Sequence, residues 1–133
     1  MPRNHGVKQI KQTYSMRAPL ARVWKAFVDP DRIEHWGAGP AIMDDKVGTK
    51  FSLWGGDIHG TNTKVVKQKL LEQDWYGDES WAKPSKLTFT FDQRGAETVV
   101  ELSQDDVPAG EAADIASGWE DYYMGPLKEF VEE

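Results

Sequence analysis

The chain contains no cysteine. That absence excludes a disulfide framework, a thiolate metal site and a cysteine nucleophile, and it fits a reducing compartment. Long apolar runs are missing too. No stretch approaches the roughly 20 residues of a membrane-spanning helix, so no membrane partner is expected. The opening residues, MPRNHGVKQIKQ, lack the apolar segment of a secretory signal, and a cytoplasmic protein is expected. Basic residues are in deficit, with 16 Lys and Arg against 22 Asp and Glu and a net charge of −6. Nucleic acid is therefore not an expected partner, because phosphates need clustered cations.

Motifs for chemistry are equally sparse. His5, His35 and His59 form no HExxH. His35 beside Glu34 and His59 near Asp57 each supply at most half of the three or four convergent ligands a metal requires. Gly55-Gly56 precedes no Gly-Lys-Ser/Thr, so it reads as a turn rather than a phosphate loop. None of Ser15, Ser52, Ser80, Ser85, Ser103 and Ser117 lies in a G-x-S-x-G context. No metal and no cofactor are expected.

What is present suits one domain spanning residues 1–133. Charge is uneven along it. Residues 1–25 carry Arg3, Lys8, Lys11, Arg17, Arg22 and Lys25 without an acid, and residues 101–133 carry ten acids against Lys128. The two ends are expected to attract each other or to face water.

Residues 7–16 alternate as a half-buried strand. Leu20, Val23, Trp24 and Phe27 mark one face of a helix ended by Asp29-Pro30. Asp29 then caps a second short helix carrying Ile33 and Trp36 and closed by Gly37 and Gly39. Short strands follow at Ala41–Asp45, Thr49–Trp54, Ile58–Lys67 and Leu70–Tyr76. Leu87, Phe89 and Phe91 alternate in the clearest strand, and Gln93-Arg94-Gly95 turns it into a partner carrying Thr98, Val100 and Leu102. From Ala112 to Phe130 apolar residues step at helical spacing, and Gly125-Pro126 predicts a kink or break. Helices segregated from a run of strands mean an α+β fold.

Four stretches in this order resemble a known family: APLARVWKAFVDPDRIEHWGAGP at 18–40, VGTKFSLWGGDIHGTN at 47–62, the hairpin at 86–108 ending in Val-Pro, and SGWEDYYMGPLKEFVEE at 117–133. They resemble the proteins related to the activator of the heat-shock chaperone ATPase. That family belongs to the superfamily of START lipid-binding domains, polyketide cyclases and the birch-pollen allergen. The resemblance implies a helix-grip fold, a curved six- or seven-stranded antiparallel sheet wrapped around a long C-terminal helix, with two short helices after the first strand and a cavity between sheet and helix. Eukaryotic chaperone activators of this kind carry an additional N-terminal domain, and these residues show no counterpart to it.

With six Trp, five Phe and four Tyr, the expected cavity has aromatic walls. Periodicity assigns Trp119, Tyr122, Tyr123 and Leu127 to the inner face of the long helix. Tyr14, Leu87, Phe89, Phe91 and Val100 face them from strands, and Trp36, Phe51, Leu53 and Trp75 complete the candidate ligand-binding set. Trp24, Phe27 and Trp36 suit either the cavity mouth or ordinary helix-to-sheet packing. The whole set also suits a filled core. The first reading is a non-catalytic binder of a small apolar or aromatic molecule, acting as monomer or homodimer. The alternatives are a partner of a heat-shock chaperone, or a cyclase- or dehydratase-type enzyme using Tyr14, Tyr122 or Asp121.

Overall fold

A computed structural model describes residues 7–77, 81 and 83–133. Strand β1 (Val7–Met16) leads into α1 (Leu20–Val28) and α2 (Pro30–Trp36). Strands β2 (Lys50–Leu53), β3 (Ile58–Val66), β4 (Leu70–Tyr76), β5 (Ser85–Arg94) and β6 (Glu97–Pro108) follow. A short 3-10 turn, Trp54–Gly56, joins β2 to β3. The C-terminal helix runs as α3 (Ala112–Gly118), a π-helical turn (Trp119–Met124) and α4 (Gly125–Glu132).

The sheet is six-stranded and antiparallel in the order β1-β6-β5-β4-β3-β2. Alternation along each strand sends one set of side chains inward. On β5 these are Leu87, Phe89 and Phe91, and on β6 Thr98, Val100, Leu102 and Gln104. The C-terminal helix covers this face with Ala112, Trp119, Tyr123, Met124, Leu127 and Val131. Asp29 caps α2 by accepting from the Asp31 amide, and Gly37 closes it in the left-handed region at φ 116°, both as expected.

Three expectations change. The strand expected over Ala41–Asp45 contributes a single bridge, Ile42 with Ser52. The Asn62 side-chain amide takes the carbonyls of Asp44 and Lys46, so this segment follows a side chain rather than a ladder. The hairpin between β5 and β6 turns at Gly95-Ala96, one residue later than expected. Gln93 stays in the strand, where its amide donates to the Gly95 and Glu97 carbonyls.

The third change concerns Pro126. It neither breaks nor caps the helix, because the helix widens ahead of it. The Gly125 N–H donates to the Glu120 carbonyl five residues back, which is π geometry. The widened turn accommodates the missing N–H of Pro126. It also shifts the buried stripe to Trp119, Tyr123, Met124, Leu127 and Val131. Tyr122 is turned out, 68% exposed, which corrects its placement on the inner face. Phe130 is half-buried and stacks on His35 at 5.8 Å.

The ends of the chain meet through β1–β6 pairing and through backbone contacts. The Arg17 amide donates to Glu132, and the Arg22 guanidinium donates to the Val131 carbonyl. Among the described residues the side-chain ion pairs are Arg32–Asp29 and Arg94–Asp92, so the basic start and acidic end are not ion-paired with each other.

A Cβ at position 125 would stand 2.3 Å from the Glu120 carbonyl oxygen. Gly125→Ala is expected to destabilise the fold by about 1–3 kcal/mol, the usual range for overpacking. Gly110→Ala, where nothing lies within 4 Å, should stay within about 0.5 kcal/mol of the parent. Urea unfolding of the two variants measures both.

Candidate functional site: an aromatic cleft at one end of the sheet

The interior under α1 and α2 is filled. Phe27 inserts between Phe89 and Phe91 with centroids at 4.8 and 5.0 Å, and Trp24 meets Phe91 edge-on at 5.1 Å. Trp36 packs 4.8 Å from Tyr123, and its indole N–H donates to the Ala26 carbonyl. Offset and edge-on contacts of this kind close space efficiently. Phe27 and Trp36 therefore form core, while Trp24 is buried and also borders a separate hollow of about 290 Å³ with Val28, Pro30 and Met43.

Beyond this core a cleft of about 370 Å³ remains. Trp75 from β4 and Trp119 and Tyr123 from the π-helical turn contribute aromatic faces to it. Their centroids lie 5.3 Å apart for Trp75–Trp119 and 4.7 Å for Trp119–Tyr123. Trp54, Asp57 and Ile58 enter from the β2–β3 connection. Helix α3 and the turn after it present Glu111, Asp114, Ile115, Gly118 and Tyr122, a stripe set by i, i+3 and i+4 spacing. A hollow of about 460 Å³ beside Lys8, Lys86 and Asp105 has no aromatic lining, so the chemistry of a ligand pocket belongs to the first cleft.

A buried chain of hydrogen bonds holds Trp119. Its indole N–H donates to Gln104 Oε1 at 2.7 Å, Gln104 Nε2 donates to Ser85 Oγ at 2.9 Å, and Ser85 Oγ donates to the Trp75 carbonyl at 3.1 Å. Trp81 in turn donates from its indole to both Glu111 carboxylate oxygens, at 3.2 and 3.1 Å. The Trp75 indole N–H is buried with no partner among the described residues. Burial pushes the Tyr123 hydroxyl well above the ordinary tyrosine range.

Of the thirteen expected ligand-binding residues, the cleft gathers Trp75, Trp119, Tyr122 and Tyr123. Tyr122 borders it from the solvent side. Trp36, Phe51, Leu53, Leu87, Phe89, Phe91, Val100 and Leu127 are buried in the core and do not line it. Tyr14 is half-buried on β1, away from the cleft. Its hydroxyl donates to Gln12 at 2.6 Å and lies 3.4 Å from Glu120. Burial first, and then the Glu120 charge and hydrogen bond, push it up to about 12. Of the three groups considered as catalysts, only Tyr122 touches the cleft, and Asp121 is exposed. Among the described residues no three His, Asp or Glu gather for a metal. Arg3, His5 and Ser80 lie outside the described residues.

Glu111 and Asp114, which no sequence pattern singles out, border the cleft, Asp114 from its exposed rim. Gln104 and Trp81 are two further residues of the site that the expected set lacks. The signal for Gln104 was available, because it continues the inward alternation of Val100 and Leu102.

Residues 17–132 match the family model "Activator of Hsp90 ATPase homolog 1-like protein". The chain belongs to this family. Among its relatives, an uncharacterized protein of Schizosaccharomyces pombe is 31% identical over 90% of this chain and 36% of its own length. The activator of 90 kDa heat shock protein ATPase homolog of Dictyostelium discoideum is 29% identical over 91% of this chain and 32% of its own length. The chain thus spans about a third of these curated relatives. The crystal structure of an HSP90 activator from Plasmodium falciparum superposes with a TM-score of 0.83 at 24% identity, covering 91% of this chain and 94% of that one. That likeness shows the helix-grip α+β fold. No helix among the described residues is long and apolar enough to cross a membrane.

Gln104→Leu would leave the Trp119 indole N–H without its buried acceptor and take from the Ser85 hydroxyl the hydrogen bond it accepts, leaving the one it donates to the Trp75 carbonyl. A loss of about 1–3 kcal/mol is expected, together with a changed near-ultraviolet circular dichroism signal as Trp119 loses its fixed setting. An unchanged signal and unfolding midpoint would show that the chain of bonds does not position Trp119.

Proposed function

We propose that residues 1–133 form one binding domain that takes up a small, largely apolar molecule in the cleft between the sheet end and the C-terminal helix, without transforming it. The observation that carries this reading is the cleft itself. Its volume of about 370 Å³ falls in the range of small-molecule sites, roughly 300–1,000 Å³, and its walls are mostly apolar, with five aromatic residues among the twelve described residues that line it. Rigid rings supply contact area at little entropic cost. The Trp119–Gln104–Ser85 chain fixes one wall before any ligand arrives, which limits the ordering cost of binding.

The test is a thermal-shift screen of lipids and aromatic compounds. A molecule that binds only the folded state raises stability by RT ln(1 + [L]/Kd), so hits should raise Tm by several degrees at saturating ligand. Position 118 lines the cleft, and a Cβ there meets nothing nearer than 3.9 Å. Gly118→Leu should therefore fill the cleft, keep the fold and abolish the shift. A screen without hits, or hits indifferent to Gly118→Leu, would remove this reading.

The names of the relatives favour a second reading, a role at the Hsp90 ATPase. It predicts complex formation with Hsp90 and a raised ATPase rate when this chain is added. No complex and an unchanged rate would exclude it and leave the first reading standing.

A further inference from the structure

The charge around the cleft is of one sign. Asp57 on the β2–β3 side and Glu111 and Asp114 on the helix side all line it, and among the described residues no Lys, Arg or His lines it. None of the three carboxylates has a cationic partner among the described residues. Asp57 and Asp114 are exposed at the rim, while Glu111 is half-buried and held by Trp81. Between these acids lie Trp54, Trp75, Trp119 and Tyr123. An aromatic face attracts a cation through its quadrupole, most strongly when water is excluded. Carboxylates on two sides reinforce that attraction and repel an anion. One polar group beside the wall also lacks a partner among the described residues, the Trp75 indole N–H, on a side chain 4% exposed. Buried donors of this kind ordinarily find an acceptor.

We infer that the cleft selects compact organic cations, an alkylammonium or quaternary ammonium group on an aromatic or apolar body bearing a hydrogen-bond acceptor. This rests on the binding role proposed above and narrows its ligand class. The ammonium group lies beside the indoles between Asp57 and Asp114, the body fills the space beside Ile58 and Ile115, and the acceptor meets the unpaired Trp75 N–H. Neutral apolar molecules of the same shape gain the contact area but not the charge terms.

The test pairs benzoylcholine with its neutral isostere, the same ester with carbon in place of the quaternary nitrogen. Binding of each to the full chain is measured by calorimetry and tryptophan fluorescence. The cation should bind about tenfold more tightly than the isostere, and added salt should reduce that margin. The double variant Asp57→Asn, Asp114→Asn alters two exposed side chains and leaves the core intact. It should erase most of the margin by weakening binding of the cation. Equal or tighter binding of the isostere would overturn the cation inference and leave the binding role in place. The same holds if the margin survives in the double variant. If neither probe binds, the cation inference falls, and the lipid and aromatic screen decides separately whether the binding role falls with it.

Discussion

One helix must cover the aromatic face of a six-stranded sheet, and Tyr123 is where it does so. Its ring lies 4.8 Å from Trp36, 4.7 Å from Trp119, 5.9 Å from Phe89 and 6.0 Å from Phe27. It thereby joins the helix to α1, α2 and β5 at one point. Full burial of an aromatic or aliphatic side chain is worth about 1.5–3 kcal/mol, so this cluster is a large share of the few kcal/mol by which a domain is stable. It also divides the interior. On the side of the short helices the rings interlock, and the hollow left there beside Trp24 and Val28 has Trp24 as its one aromatic residue among the described residues. On the side of α3 the helix has only Trp119 and Tyr123 to meet Trp75, and the space between them stays open as the cleft.

The π-helical turn makes that division possible. A straight helix would carry Tyr122 toward the sheet and leave Met124 outside. Widening the turn ahead of Pro126 reverses the two, with Met124 fully buried and Tyr122 68% exposed. Gly125 is required at the step because its Cα faces the Glu120 carbonyl too closely for a side chain. Sequence, local geometry and cleft shape are linked here through two residues, Gly125 and Pro126.

This explains which parts of the structure were legible in the sequence. The element order followed from alternation on β5 and β6, from the Asp29 cap and the Gly37 stop, and from the helical spacing after Ala112. Gly125-Pro126 announced an irregularity, but its form depends on packing that a single sequence does not display, since a π turn and a kink share the same signal. The cleft was legible only as a surplus of aromatic residues. Which of them fill space and which border it depends on how Phe27, Phe89 and Phe91 interlock in three dimensions. Glu111 and Asp114 carry no sign of the cleft in their spacing, because the stripe they share with Ile115 and Gly118 borders a hollow rather than a protein surface. A tandem check of inward positions for polar residues would have found Gln104, and through it the fixed setting of Trp119.

Membership in the Hsp90 ATPase activator-like family accounts for the fold, while function depends on the site grafted onto it. The central claim is that small apolar molecules reach this protein at the aromatic cleft and nowhere in the core. Dissolved xenon, which enters any accessible apolar void, tests it when the tryptophan indole N–H resonances are followed by NMR as its pressure rises. The account predicts shifts at Trp54, Trp75 and Trp119 with Trp24 and Trp36 unmoved. Shifts centred on Trp24 and Trp36 would place the open space beneath α1 and α2 and contradict it.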